Sequence, residues 1–132
     1  MIFGIGTDIV QVSRIQSALE KLGVRFAEKI LSPNELVIFH ERHQRSPNKA
    51  LHFLANRFAA KEAFSKATGL GFRHPITWHT LEITNTELGK PEFRFYGELA
   101  TWVEQHSLRA MISISDEIEQ VIAFVILETA PT

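Results

Sequence analysis

Two short stretches, Gly4-Ile5-Gly6-Thr7-Asp8-Ile9 and Arg57-Phe58-Ala59-Ala60-Lys61-Glu62-Ala63-Phe64-Ser65-Lys66-Ala67, each set a carboxylate among apolar or small neighbours. A carboxylate that loses water in such surroundings needs a cation or hydrogen-bond donors to stay charged. Asp8 closes a strand-like run, where its carboxylate either caps the next turn or holds a metal ion. Glu62 and Lys66 stand four apart with glutamate first, the order in which an ion pair supports a helix by roughly 0.2–0.5 kcal/mol. Helical periodicity also puts Glu62 between Ala55 and Phe58 and close to Ala59, on an otherwise apolar face. Burying two charges merely to pair them is often no more stable than an apolar replacement. A ligand that neutralises the carboxylate is a better reason for its presence.

Other chemistry is weaker or excluded. Gly4-x-Gly6 lacks the third glycine of a dinucleotide-binding turn, and the second half lacks alternating strands and helices. The absence of cysteine removes disulfides, thiolate nucleophiles and cysteine zinc sites. His40 and His43 lie one helical turn apart with no cysteine or carboxylate pair to complete a transition-metal set, and read as surface residues. Residues 1–69 hold ten Lys/Arg against six Asp/Glu, and residues 70–132 hold four against nine, so the halves carry +4 and −5. With a net charge of −1 and no recognition motif, nucleic-acid binding is not expected. Arg42, Arg45, Lys49, Arg57 and Lys61 instead suit the phosphates of a small ligand.

The elements that must position these groups are legible from pattern. Residues 1–10 read as a strand, and Ser13 with Gln16 reads as a capping box opening a helix with the stripe Ile15, Ala18, Leu19 and Leu22, stopped by Gly23. Arg14 lies near that helix start, a cation beside Asp8. A short helix over Val24 to Ile30 follows, then one opened by Ser32-Pro33-Asn34-Glu35. Ser46-Pro47 begins the longest helix, which ends near Gly69 and is apolar on most faces, hence buried. Leu81 and Ile83 begin a half-buried strand, Leu88-Gly89-Lys90-Pro91 turns into a second over Glu92–Phe95, and residues 98–106 form a helix. Met111–Ser115 and the apolar Val121–Leu127, joined by Asp116-Glu117-Ile118-Glu119, form an antiparallel pair with a central buried strand. The expectation is one α+β domain over residues 1–132, an antiparallel sheet against a long buried helix. No run is long enough to cross a bilayer, and the start lacks the pattern of a signal peptide, so a cytoplasmic protein without a membrane partner is expected.

Taken together, Gly4-Ile5-Gly6-Thr7-Asp8-Ile9 with Arg14-Ile15, and Arg57 to Ala67 with Gly69, resemble the two signatures of the small bacterial 4′-phosphopantetheinyl transferases that act on acyl carrier protein. The resemblance extends through Gly89-Lys90-Pro91 and the closing strands. It implies that family's fold and the transfer of 4′-phosphopantetheine from coenzyme A to a serine of apo acyl carrier protein, releasing adenosine 3′,5′-bisphosphate, in fatty acid synthesis. By position, Asp8 and Glu62 match magnesium ligands, and Lys66 matches a phosphate-contacting lysine. Ser65 and Gly69 match positions near the diphosphate, and Arg57 and Pro91 match positions that meet the nucleotide. Arg14 falls on the carrier-docking helix, with Lys21 and Arg25 as further candidate contacts. Glu62, Lys66 and Asp8 are thus the candidate catalytic residues, and Glu62, directly or through a magnesium-bound water, is the candidate base for the acceptor hydroxyl.

The resemblance also implies a homotrimer whose active sites combine residues of two chains. Many relatives carry histidines in the penultimate strand where this chain has Met111 and Asp116; Asp116 is left to face the metal or to belong to the turn. On those changes rests the alternative of a non-catalytic module that binds coenzyme A or a carrier protein.

Overall fold

The computed structural model describes residues 1–130. In chain order these form β1 (Ile2–Gln11), α1 (Val12–Leu22), α2 (Val24–Ile30), α3 (Pro33–Arg45), α4 (Pro47–Thr68), β2 (Leu81–Asn85), β3 (Pro91–Phe95), α5 (Gly97–Gln105), β4 (Leu108–Asp116) and β5 (Gln120–Thr129). One antiparallel sheet has the order β1-β5-β4, and β2 and β3 pair as an antiparallel hairpin. The architecture is α+β, as expected. No helix among the described residues is long and apolar enough to cross a membrane.

Local chemistry sets most boundaries. Ser32 Oγ accepts from Glu35 N–H, and Glu35 Oε1 accepts from Ser32 N–H at 2.9 Å, so the capping box of α3 is complete with Pro33 next to it. Ser46 caps α4 by accepting from Lys49 N–H, and Gly69 ends it at φ 79°, a left-handed value that suits glycine. Helix α1 departs from expectation, because Ser13 and Gln16 make no capping box. β1 stays paired as far as Gln11 opposite Gln120, and the Val12 N–H donates to Glu119 O at 2.9 Å. The neighbouring backbone takes the place of a cap. The stripe of α1 is also shorter than expected, since Val12 and Ile15 are buried while Leu22 is 54% exposed.

Val121, Ala123, Val125 and Leu127 of the central strand face α4 and are buried. Their alternates form the outer sheet face, where Ile5, Ile126 and Met111 share a row and Thr7, Phe124 and Ser113 share the next. Ile5, Ile9, Met111 and Phe124 are exposed there, an apolar patch on one side of the sheet.

The inner face of β1 meets α4 through glycine. A Cβ placed on Gly4 would lie 2.0 Å from Ala67 O, and one on Gly6 would lie 2.0 Å from Ala63 O. No side chain fits, so the strand backbone rests on the helix backbone. Gly6→Ala should therefore lower stability by about 3 kcal/mol, read as a lower urea midpoint at unchanged slope. An unaltered midpoint would mean that strand and helix do not touch there.

Candidate active site

Because strand side chains alternate, Gly4, Gly6, Asp8 and Val10 share the face of β1 turned to α4. Where the glycines leave no room, Asp8 supplies a carboxylate whose side chain is only 15% exposed. Lys66 of α4 donates from Nζ to Asp8 Oδ1 at 3.1 Å and to Thr7 O at 3.0 Å. The Glu62–Lys66 pair suggested by spacing is not the one formed, because Lys66 spends two donors on β1. Burial raises the Asp8 carboxyl above its usual range, with Lys66 and Arg14 opposing the rise. Burial also raises Glu62, and the negative charge of Asp8 raises it further, against the pull of Lys66. Two carboxylates far apart in sequence thus converge closely enough to repel.

The next turn of α4 holds this arrangement. Ser65 is buried and donates from its hydroxyl to Glu62 O at 2.7 Å, Thr68 donates to Ser65 O, and the Gly69 N–H donates to Lys66 O. Arg14, Lys21 and Arg25 are exposed on α1 and α2. Beside them Leu22 and Val24 are exposed, and Leu19, Val24, Phe39 and His43 line an apolar groove.

A second group of cations lies elsewhere, on α3 and α4. Arg42, Arg45, Lys49, His52, Phe53, Asn56, Arg57 and Asp116 line a cleft of about 390 Å³. Arg57 is buried and donates to Asn56 Oδ1 at 2.8 Å, to Asn85 Oδ1 at 2.7 Å and to Ile83 O at 3.4 Å. Its guanidinium lies 4.4 Å from the Phe53 ring centroid, and that of Arg42 lies 4.8 Å from the same ring. Burial lowers Arg57 to about 10, Glu35 opposing, so it stays charged at neutral pH. Pro91 pairs with Asn85 across the hairpin, which brings it next to the residue that holds Arg57.

Lys61 corrects the sequence reading. It is fully buried, and its Nζ donates to Glu35 Oε1 at 2.6 Å, Ile30 O at 2.7 Å and Trp78 O at 2.7 Å. With three donors and three acceptors, nothing is left for a phosphate. Within the chain Asp116 Oδ1 lies 2.9 Å from His52 Nδ1, so it faces the cleft rather than the Asp8 and Glu62 of the same chain. Met111 stands on the outer sheet face. Sequence reasoning overlooked His52, Asn56 and Asn85. The positions 49, 52, 53, 56 and 57 recur at three and four, a helix face that was legible had α4 been read from its polar side as well as from Glu62.

These two groups do not meet within one chain. Lys66 and Arg57 are nine residues apart on α4, roughly 180° in rotation. Lys66 bonds to β1 while Arg57 bonds to β2, on different sides of the helix.

Asp8 and Glu62 fit a divalent cation by chemistry. Both are oxygen donors, both lose solvation and each repels the other, costs that a cation between them reverses in sign. Among the described residues no third acidic or histidine ligand joins them, which suits magnesium, an ion that keeps waters and phosphate oxygens.

The profile of the 4′-phosphopantetheinyl transferase superfamily matches residues 4–124, and this chain belongs to that family. A holo-acyl-carrier-protein synthase of Cupriavidus necator is 49% identical over 130 residues, covering 98% of this chain and 93% of the relative. The crystal structure of holo-acyl-carrier-protein synthase from Neisseria meningitidis superposes with a TM-score of 0.90 at 45% identity, covering 98% of this chain and 100% of that one. The enzyme from Bacillus anthracis, solved in complex with CoA (3′,5′-ADP), superposes with a TM-score of 0.81 at 34% identity, covering 98% and 99%.

Since Glu62 has a folded-state pKa above its unfolded value, its charged form costs stability at neutral pH. In chelator at pH 7, Glu62→Gln should raise Tm. Magnesium should raise the Tm of the parent protein and leave that of Glu62→Gln and Asp8→Asn nearly unmoved. Equal magnesium shifts in all three proteins would show that these carboxylates hold no ion.

Proposed function

We propose that this chain transfers 4′-phosphopantetheine from coenzyme A to a serine hydroxyl of apo acyl carrier protein, releasing adenosine 3′,5′-bisphosphate. The observation that carries this reading is the convergence of Asp8, Glu62 and Lys66, in a chain of this family, on one partly desolvated spot between β1 and α4.

The serine oxygen bonds to the phosphorus nearer the pantetheine, the bond from that phosphorus to the bridging oxygen breaks, and the bridging oxygen leaves with the adenosine bisphosphate. Glu62 takes the serine proton. Burial and the charge of Asp8 raise its carboxyl above the usual glutamate range, and a cation held by the pair would oppose that rise. Lys66, half exposed, has one donor beyond those given to Asp8 and Thr7 and offers it to the diphosphate. Asp8 and Glu62 would hold magnesium, which when bound supplies positive charge against the charge developing on the leaving group. Ser65 and Gly69 shape the turn below the diphosphate, while Arg57 and Pro91 meet the nucleotide.

An α-helix with its side chains is about 10–12 Å across, and the nucleotide is attached directly to the diphosphate, so one donor cannot touch opposite sides of α4 in the same chain. The carboxylates of one copy are therefore paired with the cationic cleft of another. We read the assembly as a homotrimer with shared sites, the apolar outer sheet face being the surface that the copies bury. The acidic surface of a carrier protein is drawn to Arg14, Lys21 and Arg25, and the apolar groove beside them takes its apolar side chains. We read the reaction as a step of fatty acid synthesis in the cytoplasm. A non-catalytic module is not favoured, since relatives 49% and 51% identical over nearly the whole chain are holo-acyl-carrier-protein synthases.

Intact-mass measurement of apo carrier protein incubated with coenzyme A and magnesium should show a gain of one phosphopantetheinyl unit. Glu62→Gln should slow this gain by about 10²-fold or more. Full turnover by Glu62→Gln at saturating magnesium excludes it as the base, and carrier bound without any gain excludes the transferase. Shared sites predict complementation. Glu62→Gln chains co-expressed with Arg45→Ala/Lys49→Ala chains should regain activity at low coenzyme A that neither has alone, and a mixture no more active than its parts would confine each site to one chain.

A further inference from the structure

The cationic cleft contains one carboxylate. Arg42 and Arg45 from α3 and Lys49 and Arg57 from α4 are positive, while Asp116 at the end of β4 is negative and half exposed. A carboxylate alone in a phosphate cleft works against its ligand. Asp116, however, is not alone, since its Oδ1 lies 2.9 Å from His52 Nδ1. A carboxylate accepts, so the proton of that bond belongs to Nδ1, and His52 Nε2 is the nitrogen left over. Among the described residues Nε2 has no hydrogen-bond partner. His52 is also placed on a divide. It lines the cationic cleft on one side and, on the other, the cleft at the junction of β1 and α1, with Gln11, Ser13 and Glu119.

We propose that His52, positioned by Asp116, is a proton-linked phosphate contact of this cleft: a phosphate group entering among the four cations draws a proton from solvent onto Nε2, which then donates to it. The proposal rests on the reading that the cleft takes the nucleotide end of the donor, where the phosphate not belonging to the diphosphate is a candidate occupant. The groups facing His52 explain why ligand and proton are coupled. Arg42, Arg45, Lys49 and Arg57 oppose a fifth positive charge in the empty cleft, and Asp116 and Glu119 favour it. A phosphate dianion offsets the cations and tips the balance toward imidazolium. Asp116 then has two uses: it sets which nitrogen is free, and it balances the charge that His52 acquires. Without His52, Asp116 would repel the ligand.

The test is calorimetric titration of the full-length protein with adenosine 3′,5′-bisphosphate, from about pH 6 to about pH 8, in buffers of different ionisation enthalpy. The parent protein should take up a fraction of a proton per ligand near neutrality. It should also bind about tenfold more weakly at the upper pH than at the lower. His52→Gln should bind with that uptake removed and a flatter pH dependence, and Asp116→Asn should reduce the uptake and move it to lower pH. Protons exchanged by the phosphates themselves are common to all three proteins and cancel in the comparison. In steady state, KM for coenzyme A should climb with pH in the parent and stay level in His52→Gln, with kcat within about twofold at saturation. Equal proton uptake by the parent and His52→Gln, with binding intact, overturns the role of His52 alone. Failure of the parent to bind the bisphosphate at either pH overturns the nucleotide reading of the cleft and this inference with it.

Discussion

The contact between the backbones of β1 and α4 is the constraint on which the rest of the molecule depends. Two steps along a strand advance about 6.6–6.8 Å and four along a helix about 6 Å, so alternate strand residues and successive helical turns stay nearly in step. Gly4 meets Ala67 and Gly6 meets Ala63, the strand running against the helix direction. Continued at the same spacing, Asp8 comes level with Ala59, one turn below Ala63. The side chains of Glu62 and Lys66 lean toward that level, as all helical side chains lean toward the N-terminus. The convergence of carboxylates and lysine is therefore a product of backbone spacing, and the small residues of both signatures are part of the site's geometry without touching a substrate.

A second constraint acts on the opposite flank of α4, where Lys61 and Glu35 are buried. Glu35 accepts from Ser32 N–H and Lys61 through Oε1 and from Ile83 N–H through Oε2, while Ser32 Oγ donates to Glu82. One glutamate therefore caps α3, anchors α4 and fixes β2. An ion pair of this kind contributes little net stability over an apolar replacement, but its geometry admits one arrangement of the three elements. Arg57, whose Nε is 4.0 Å from Glu35 and has no hydrogen-bond partner among the described residues, inherits its position from that arrangement. Adjacent residues of the second signature thus act inversely: Lys61 points inward and holds the scaffold, and Glu62 stands beside Asp8.

Features governed by local chemistry were legible in the chain itself. Ser32-Pro33-Asn34-Glu35, Ser46-Pro47 and Gly69 bound their helices as residue type and spacing require, and the apolar run Val121–Leu127 became the central strand. Features set by distant partners were not. The start of α1 escaped because its first N–H is satisfied by Glu119, across the sheet. Lys61 was grouped with ligand-binding cations because its acceptors come from Ile30, Glu35 and Trp78, on three other segments. Asp116 stayed ambiguous because its partner, His52, is 64 residues away. The pairing of Asp8 with Glu62 came from resemblance, and the physical reason for it, the glycine contact, emerges only in three dimensions.

The two constraints together explain why the site is divided. β1 delivers Asp8 to one side of α4, and the Glu35 network delivers Arg57 and the hairpin to another. A rigid helix between them cannot be removed without losing both, so the proposed function has the donor's two ends recognised on surfaces that one chain holds apart. Within the proposed assembly, a second copy closes that gap by bringing its cationic cleft to the first copy's carboxylates. The same division explains the partial burial of Asp8 and Glu62. Deeper burial would leave their charge without recourse, and full exposure would give a cation no advantage over water. In the proposed assembly, a half-desolvated pair at an edge that another copy covers is poised between these limits, and the final dehydration then comes with assembly and donor binding rather than with folding.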